Sequence, residues 1–165
     1  RTYEAIITTP LSLEDVVAGD ILWGASKGTF NGTVMLVIVG LFGLAPSPWT
    51  LAVPVIIALL ALLFACLSQV VAALARSFEF FNYYLTLVVT PMFLFCGVFF
   101  PLESLPRWAQ DLARFLPLTY AVEATRALMR GRPSAQALLP LLWLVPPTIV
   151  AFLLAARLVR RRLIH

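Results

Sequence analysis

The sequence predicts an all-α fold: a polytopic membrane helix bundle of four transmembrane helices, with a short cytoplasmic helix ahead of them and a re-entrant external helical hairpin before the last. Three observations predict it. Of the 165 residues, 61% are hydrophobic and only 12% charged, against about 25% charged in soluble domains. The apolar residues are gathered into four long runs separated by short polar breaks, and runs of about 20 apolar residues are what a bilayer requires. One stretch between the third and fourth runs, Gly97 to Arg126, resembles neither a span nor a simple loop, carrying three prolines and six charged residues at helical spacing.

The chain opens on Arg1 rather than methionine, inside a polar segment without a cleavable signal, which reads as a fragment whose natural N-terminus lies upstream. Residues 1–20 are the only sizeable polar stretch before the apolar runs. Ser12-Leu13-Glu14-Asp15 has the form of a helix start, with Ser12 as N-cap and acids in the first turn, where the helix dipole favours them. A helix from about Leu13 to Ala18 with Leu13, Val16 and Val17 on one side would lie on the membrane surface or dock on another protein; the plainer alternative is a lead-in turn to the first span.

The first span is expected over 21–44, with Trp23 and Lys27 as interfacial anchors. Gly24, Gly28 and Gly32 recur every four residues and so share one helical face, the spacing that lets a second helix approach closely. Asn31, beside that face, calls for a partner inside the bundle rather than lipid. A turn, Pro46-Ser-Pro-Trp49, leads into the second span over 51–75, which tolerates Pro54 in its first turn and carries Ser68 and Gln69 as candidates for hydrogen bonds between helices. The third span, 83–100, is interrupted by Pro91, where a kink is expected. The last, 137–156, is expected to hold Pro146 and Pro147 in its middle, and is followed by Arg157, Arg160, Arg161 and Arg162.

Between the last two spans, the element over 101–133 divides in two. Leu105, Trp108, Ala109, Leu112, Phe115 and Leu116 form one apolar helical stripe, with Arg107, Gln110, Asp111 and Arg114 in the gaps. Pro117 breaks that helix, having no amide proton and restricting the residue before it, and a second helix from Thr119 to Met129 comes after. Glu123 and Arg126, three apart, share a face and can pair.

Four crossings put both ends of the chain on one side. Arg1, Lys27, Arg76 and the four C-terminal arginines lie there, whereas the opposite side has no cation in its first turn and five in the long element, partly offset by Glu103, Asp111 and Glu123. The positive-inside rule makes the ends cytoplasmic and 101–133 external.

Other classes fit poorly. The arginines are separated by apolar spans rather than forming a continuous basic face, so nucleic acid is not an expected partner. The only histidine is His165 and no paired carboxylates fall inside a span, which leaves no catalytic site at membrane depth and no metal site. Cys66 and Cys96 sit inside apolar runs at depths that differ by roughly 15 Å if their spans are antiparallel, too far for a disulfide, whose Cα atoms lie within about 7 Å. A non-transporting anchor or assembly subunit of a membrane complex is the class least well excluded.

Gly97-Val-Phe-Phe-Pro-Leu-Glu-Ser-Leu-Pro-Arg-Trp108 and Phe115-Leu-Pro-Leu-Thr-Tyr-Ala-Val-Glu-Ala-Thr-Arg126, with Tyr3-Glu4 and Pro10-Leu-Ser12 near the start, closely resemble the type-2 ABC transporter permeases, especially the nodulation-factor (lipo-oligosaccharide) and daunorubicin exporters. The resemblance implies the C-terminal two thirds of a six-span permease. It implies a homo- or heterodimer with a second permease and an ABC ATPase subunit that binds ATP, so this chain needs no cofactor of its own; it carries no G-x-x-x-x-G-K-[ST] loop. It further implies outward movement of an amphipathic or lipid-linked substrate. Leu11, Leu13, Glu14, Asp15 and Val16 would form the helix coupled to the ATPase, and Pro101, Pro106, Trp108, Pro117, Tyr120, Glu123 and Arg126 the external gate or re-entrant element.

Overall fold

A computed structural model describes residues 13–44, 47–75, 78–132 and 139–164, leaving Leu11 and Ser12 outside the described residues. Those residues are helical almost throughout, and no strand occurs among them. The α-helices are α1 (Leu13–Leu41), α2 (Val53–Leu74), α3 (Phe78–Tyr84), α4 (Thr90–Phe95), α5 (Arg107–Phe115), α6 (Pro117–Met129) and α7 (Val145–Ile164), with 3-10 turns at Pro48–Ala52, Leu102–Ser104 and Leu139–Leu144.

Among the described residues two segments are long and apolar enough to cross a membrane, Pro48–Leu74 and Leu141–Val159. Helix α1 has ample length, 29 residues, but Asp15, Asp20, Lys27 and Asn31 dilute its hydropathy. The short helix expected to end near Ala18 is not separate: it continues without a break through the expected first span to Leu41. No proline or glycine pair interrupts residues 13–41, so nothing in the sequence forces the chain to turn there.

Helix α2 is central. One half of it joins α1 and α7 around Val17, Ile21, Cys66, Ala151 and Ala155; the other half joins α6 around Val53, Ile56, Ala121, Ala124 and Leu128. Along α1, a methyl group added at Gly24, Gly28 or Gly32 would meet Ala65, Ala61 or Ile57 in turn, at 3.6, 3.0 and 2.6 Å. Each step of four residues forward on α1 meets a step of four backward on α2, which defines an antiparallel seam in register over three turns. Gln69 ties the pair at the end nearer the start of α1, its amide nitrogen donating to the Asp20 carboxylate at 3.2 Å. Asn31 lies outside the seam and is exposed, because one residue before Gly32 is a rotation of about 100° away on a helix of 3.6 residues per turn. Lys27 stacks on the Trp23 ring at 5.4 Å.

Between α3 and α4 the chain widens into a π-helical turn over Leu85–Val89. Pro91 follows it, one residue beyond at the second position of α4; in a regular helix its ring would collide with the carbonyl four residues back, and it supplies no amide hydrogen. The wider turn relieves both, and the Leu85 carbonyl accepts from the Thr90 backbone and, at 3.0 Å, from its hydroxyl. The helical run therefore covers Phe78 to Phe95, starting and ending about five residues earlier than expected from hydropathy. Gly97 turns the chain out of it with φ +85°, a conformation that costs glycine little.

The start of α7 also departs from expectation. Pro146 and Pro147 occupy its first turn, not the middle of a span, because the amide hydrogens they lack would be unpaired there anyway. A 3-10 turn covers Leu139–Leu144, and the buried Thr148 hydroxyl donates back to the Leu144 carbonyl at 2.6 Å across the junction. Cys66 and Cys96 are both buried and both free.

The seam makes a graded prediction. Gly32→Ala forces a methyl against the branched Ile57 side chain and is expected to cost about 1–3 kcal/mol. Gly24→Ala places its methyl at ordinary contact distance and should be neutral or gain up to about 1 kcal/mol from helix propensity. Thermal unfolding of the two variants in detergent checks the order.

Candidate functional site: the α5–α6 hairpin and the turn it braces

Helices α5 and α6 form the hairpin, and the break between them is local. Leu116 has extended dihedrals, φ −83° and ψ 123°, the conformation required of a residue before proline. Pro117 then opens α6 at its first position, where its fixed φ suits a helix. The break frees carbonyls at the end of α5; the Tyr120 hydroxyl donates to one of them, Arg114 O, at 2.6 Å. On α5 the buried stripe is Ala109 and Ala113, while Trp108, Leu112 and Phe115 point outward. Small residues let α5 sit close to its neighbours and leave its large apolar groups facing out.

The carbonyl end of the hairpin reaches the α1–α2 connection. A methyl at Gly131 would meet the Ser47 side chain at 3.3 Å, and Ser47 caps the adjoining 3-10 turn by accepting from the Trp49 amide at 3.2 Å. The hairpin and the loop before α2 thus occupy one end of the bundle.

The residues expected to form an external gate separate into three groups. Pro101, Glu123 and Arg126 line a cavity of about 620 Å³ with Phe99, Phe100, Glu103 and Arg130, over a floor formed by Cys96 and Gly97. Pro117 and Tyr120 line a second, of about 580 Å³, on the other side of the hairpin. Pro106 and Trp108 belong to neither; Trp108 packs edge-on to Phe95, ring centroids 5.8 Å apart, and fastens α5 to α4.

The pairing of Glu123 with Arg126 that their spacing predicts does not form. The Arg126 guanidinium donates to the Val98 carbonyl at 3.2 Å instead. Residues 96–100 make a turn whose carbonyls lack helical partners, and a guanidinium with five donors reaches one of them; Glu123 stays exposed on the cavity rim. Among the described residues the ion pair present is Arg114 with Asp111, at 3.6 Å. The first cavity therefore sets two carboxylates and two guanidiniums beside two phenylalanine rings, a lining that suits a molecule with both a polar and an apolar part. Sequence reasoning missed Phe99, Phe100, Glu103 and Arg130; the alternation of aromatic and charged residues around the motif was the available signal.

At the other end of the bundle, Leu13 and Glu14 begin α1, Asp15 is exposed and Val16 half-buried. Val17, expected on a docking face, is only 3% exposed and belongs to the core with Ile21 and Ala155.

Two segments long and apolar enough for a bilayer, a close small-residue seam and a hairpin braced at one end together suit a helical membrane protein. The chain belongs to the ABC-2 type transporter family, whose description matches residues 1–129, and it is a multi-pass membrane protein. It is similar to Nodulation protein J of Rhizobium leguminosarum bv. viciae, 38% identical over 165 residues, the whole of this chain and 64% of that protein. It is likewise similar to Nodulation protein J of Rhizobium meliloti, 38% identical over 163 residues, 99% of this chain and 62% of that one. A more distant relative is the inner membrane transport permease YadH of Escherichia coli, 27% identical over 128 residues, 76% of this chain and 49% of that protein. The chain thus spans about 64% of the length of the first of these relatives. No solved structure matched it.

Removing the Arg126 brace should tell on stability while removing the Glu123 charge should not. Arg126→Gln is expected to cost about 1 kcal/mol, a hydrogen bond from a charged donor discounted for its exposure. Tyr120→Phe should cost a similar amount by freeing the Arg114 carbonyl, whereas Glu123→Gln should lie within about 0.5 kcal/mol of the wild type. Thermal unfolding of the three purified variants measures the difference.

Proposed function

We propose that this chain is the transmembrane permease subunit of an ABC exporter, moving an amphipathic or lipid-linked substrate of the drug, lipo-oligosaccharide or polysaccharide class outward. ATP is bound and hydrolysed by a separate ABC ATPase subunit, and a second permease completes the membrane pore as a homo- or heterodimer. The observation that carries the reading is the family match over residues 1–129.

In this reading α1, α2, the run from Phe78 to Phe95 and α7 make four crossings, with both ends of the chain cytoplasmic and the hairpin outside. The charge distribution supports that orientation, as does the placement of Gly131 beside Ser47, which sets the α1–α2 connection and the hairpin at one end. The start of α1, with Leu13, Glu14, Asp15 and Val16, is the docking foot toward the ATPase, and Leu11, outside the described residues, is assigned to the same foot from the sequence.

The continuity of α1 supplies a mechanism. A push on its first turn cannot be absorbed by a hinge, because the helix is unbroken to Leu41. Val17 and Ile21 are locked against Cys66 and Ala155, and the glycine seam fixes α1 on α2. Movement of the ATPase would therefore carry α1, α2 and α7 together as a rigid body. Where α2 meets α6 at Ile56 and Ala124, the same displacement would reach the hairpin and the amphipathic cavity beside Phe99 and Phe100, from which a substrate leaves.

Replacing Leu13 and Val16 together with aspartate in the full-length protein, co-expressed with its ATPase, tests the coupling. Transport-linked ATP hydrolysis should fall about tenfold or more, equivalent to about 1.4 kcal/mol of lost docking, with the permease still present in the membrane. Wild-type hydrolysis and transport in that variant would contradict the docking role.

A further inference from the structure

The geometry points to a binding site for one ethanolamine-class phospholipid of the surrounding bilayer in the cleft between the hairpin and the start of α7. The cleft has a volume of about 580 Å³, within the range of roughly 300–1,000 Å³ usual for small-molecule sites. One wall is Phe115, at the end of α5, and the opposite wall is Trp143 with Pro146. Phe115 is 85% exposed and Trp143 73%, so these rings are not spent on the protein's own packing. They offer a rigid apolar slot for the upper part of an acyl chain, at the depth where tryptophan and tyrosine favour the membrane interface.

The polar end of the cleft has a specific charge pattern. Asp111 and Arg114 stand on its rim, 3.6 Å apart with side chains 70% and 73% exposed. At that distance they attract each other without a hydrogen bond, so both keep their hydrogen-bonding capacity. The Tyr120 hydroxyl is already committed to the Arg114 carbonyl, which leaves its ring as wall and fixes the backbone that carries the guanidinium. A phosphodiester fits Arg114, the residue type that binds phosphate in bidentate fashion, and an ammonium joined to it by a two-carbon bridge can reach Asp111 and donate to its carboxylate. A headgroup with phosphate alone would meet Asp111 as a like charge. A trimethylated ammonium would satisfy the charge but has no proton to donate.

The site predicts an order of headgroups. It rests on the chain being a membrane permease and not on the direction of transport, so its failure would leave the export reading untouched, and failure of ATPase coupling would leave this site untouched. The test uses the full-length protein in mild detergent, titrated with phosphatidylethanolamine, phosphatidylcholine and phosphatidylglycerol of identical chains, with bound lipid counted by native mass spectrometry. One phosphatidylethanolamine per protomer is expected to bind about tenfold more tightly than phosphatidylglycerol, with phosphatidylcholine between them. Arg114→Gln should remove that bound lipid, and Asp111→Asn should bring phosphatidylethanolamine down to the level of phosphatidylcholine. Both side chains are surface-exposed, so neither change threatens the fold, and a thermal unfolding curve for each verifies this. Equal binding of all three lipids, meaning annular lipid only, would overturn the proposal. So would wild-type selectivity in Arg114→Gln.

Discussion

In a bilayer the lipid tails are as apolar as leucine, so burying hydrophobic side chains gives two helices little reason to associate, and close van der Waals fit has to supply it. The contact between α1 and α2 is built on that constraint. Glycines on one helix face Ala65, Ala61 and Ile57 on the other, and the approach tightens from 3.6 to 2.6 Å for an added methyl along the seam. Because the seam is straight and in register for three turns, α1 and α2 act as one body. Helix α7 joins them through Ala151 and Ala155, again small residues against Cys66. The rest of the molecule is arranged around α2, which contributes buried residues to both clusters.

The hairpin solves a different problem. A helix leaving the bundle at Cys96 ends with unpaired carbonyls, which are costly where water is scarce. Gly97 turns the chain, and Arg126 on α6 reaches back to the Val98 carbonyl. At the second break the Tyr120 hydroxyl does the same for Arg114. These two breaks, at Gly97 and at Pro117, are thus each closed by a side chain from α6, and residues of that helix line both clefts of the hairpin. One is amphipathic and rimmed by Glu103, Glu123 and Arg130; the other is walled by aromatic rings and prolines with a single loose ion pair.

Much of this was legible in the residues because it comes from periodicity. Glycines at 24, 28 and 32 can only share a face, and Pro117 can only end one helix and begin another. Where the residues alone misled, a tertiary or local alternative was available. Pro146 and Pro147 lie in an apolar run that hydropathy reads as continuous, yet proline is cheapest in a first turn, so α7 begins there. Glu123 and Arg126 have ideal spacing for an ion pair, but an unsatisfied carbonyl at Val98 lies within reach of the guanidinium. Val17 has the period of a docking face and is instead consumed by the core. The second cleft was not visible, since Phe115 and Trp143 lie far apart in the chain and no local pattern brings them together.

In the proposed reading the hairpin lies outside and the start of α1 inside, so the side of the membrane that the hairpin occupies tests both. Glu103, exposed at the start of the hairpin, is the position to probe: Glu103→Cys in a full-length protein whose Cys66 and Cys96 have been replaced by serine, treated in intact cells with a membrane-impermeant maleimide. Labelling from the outside, without permeabilising the cells, is the predicted result. Labelling only after the cytoplasmic side is opened would contradict it.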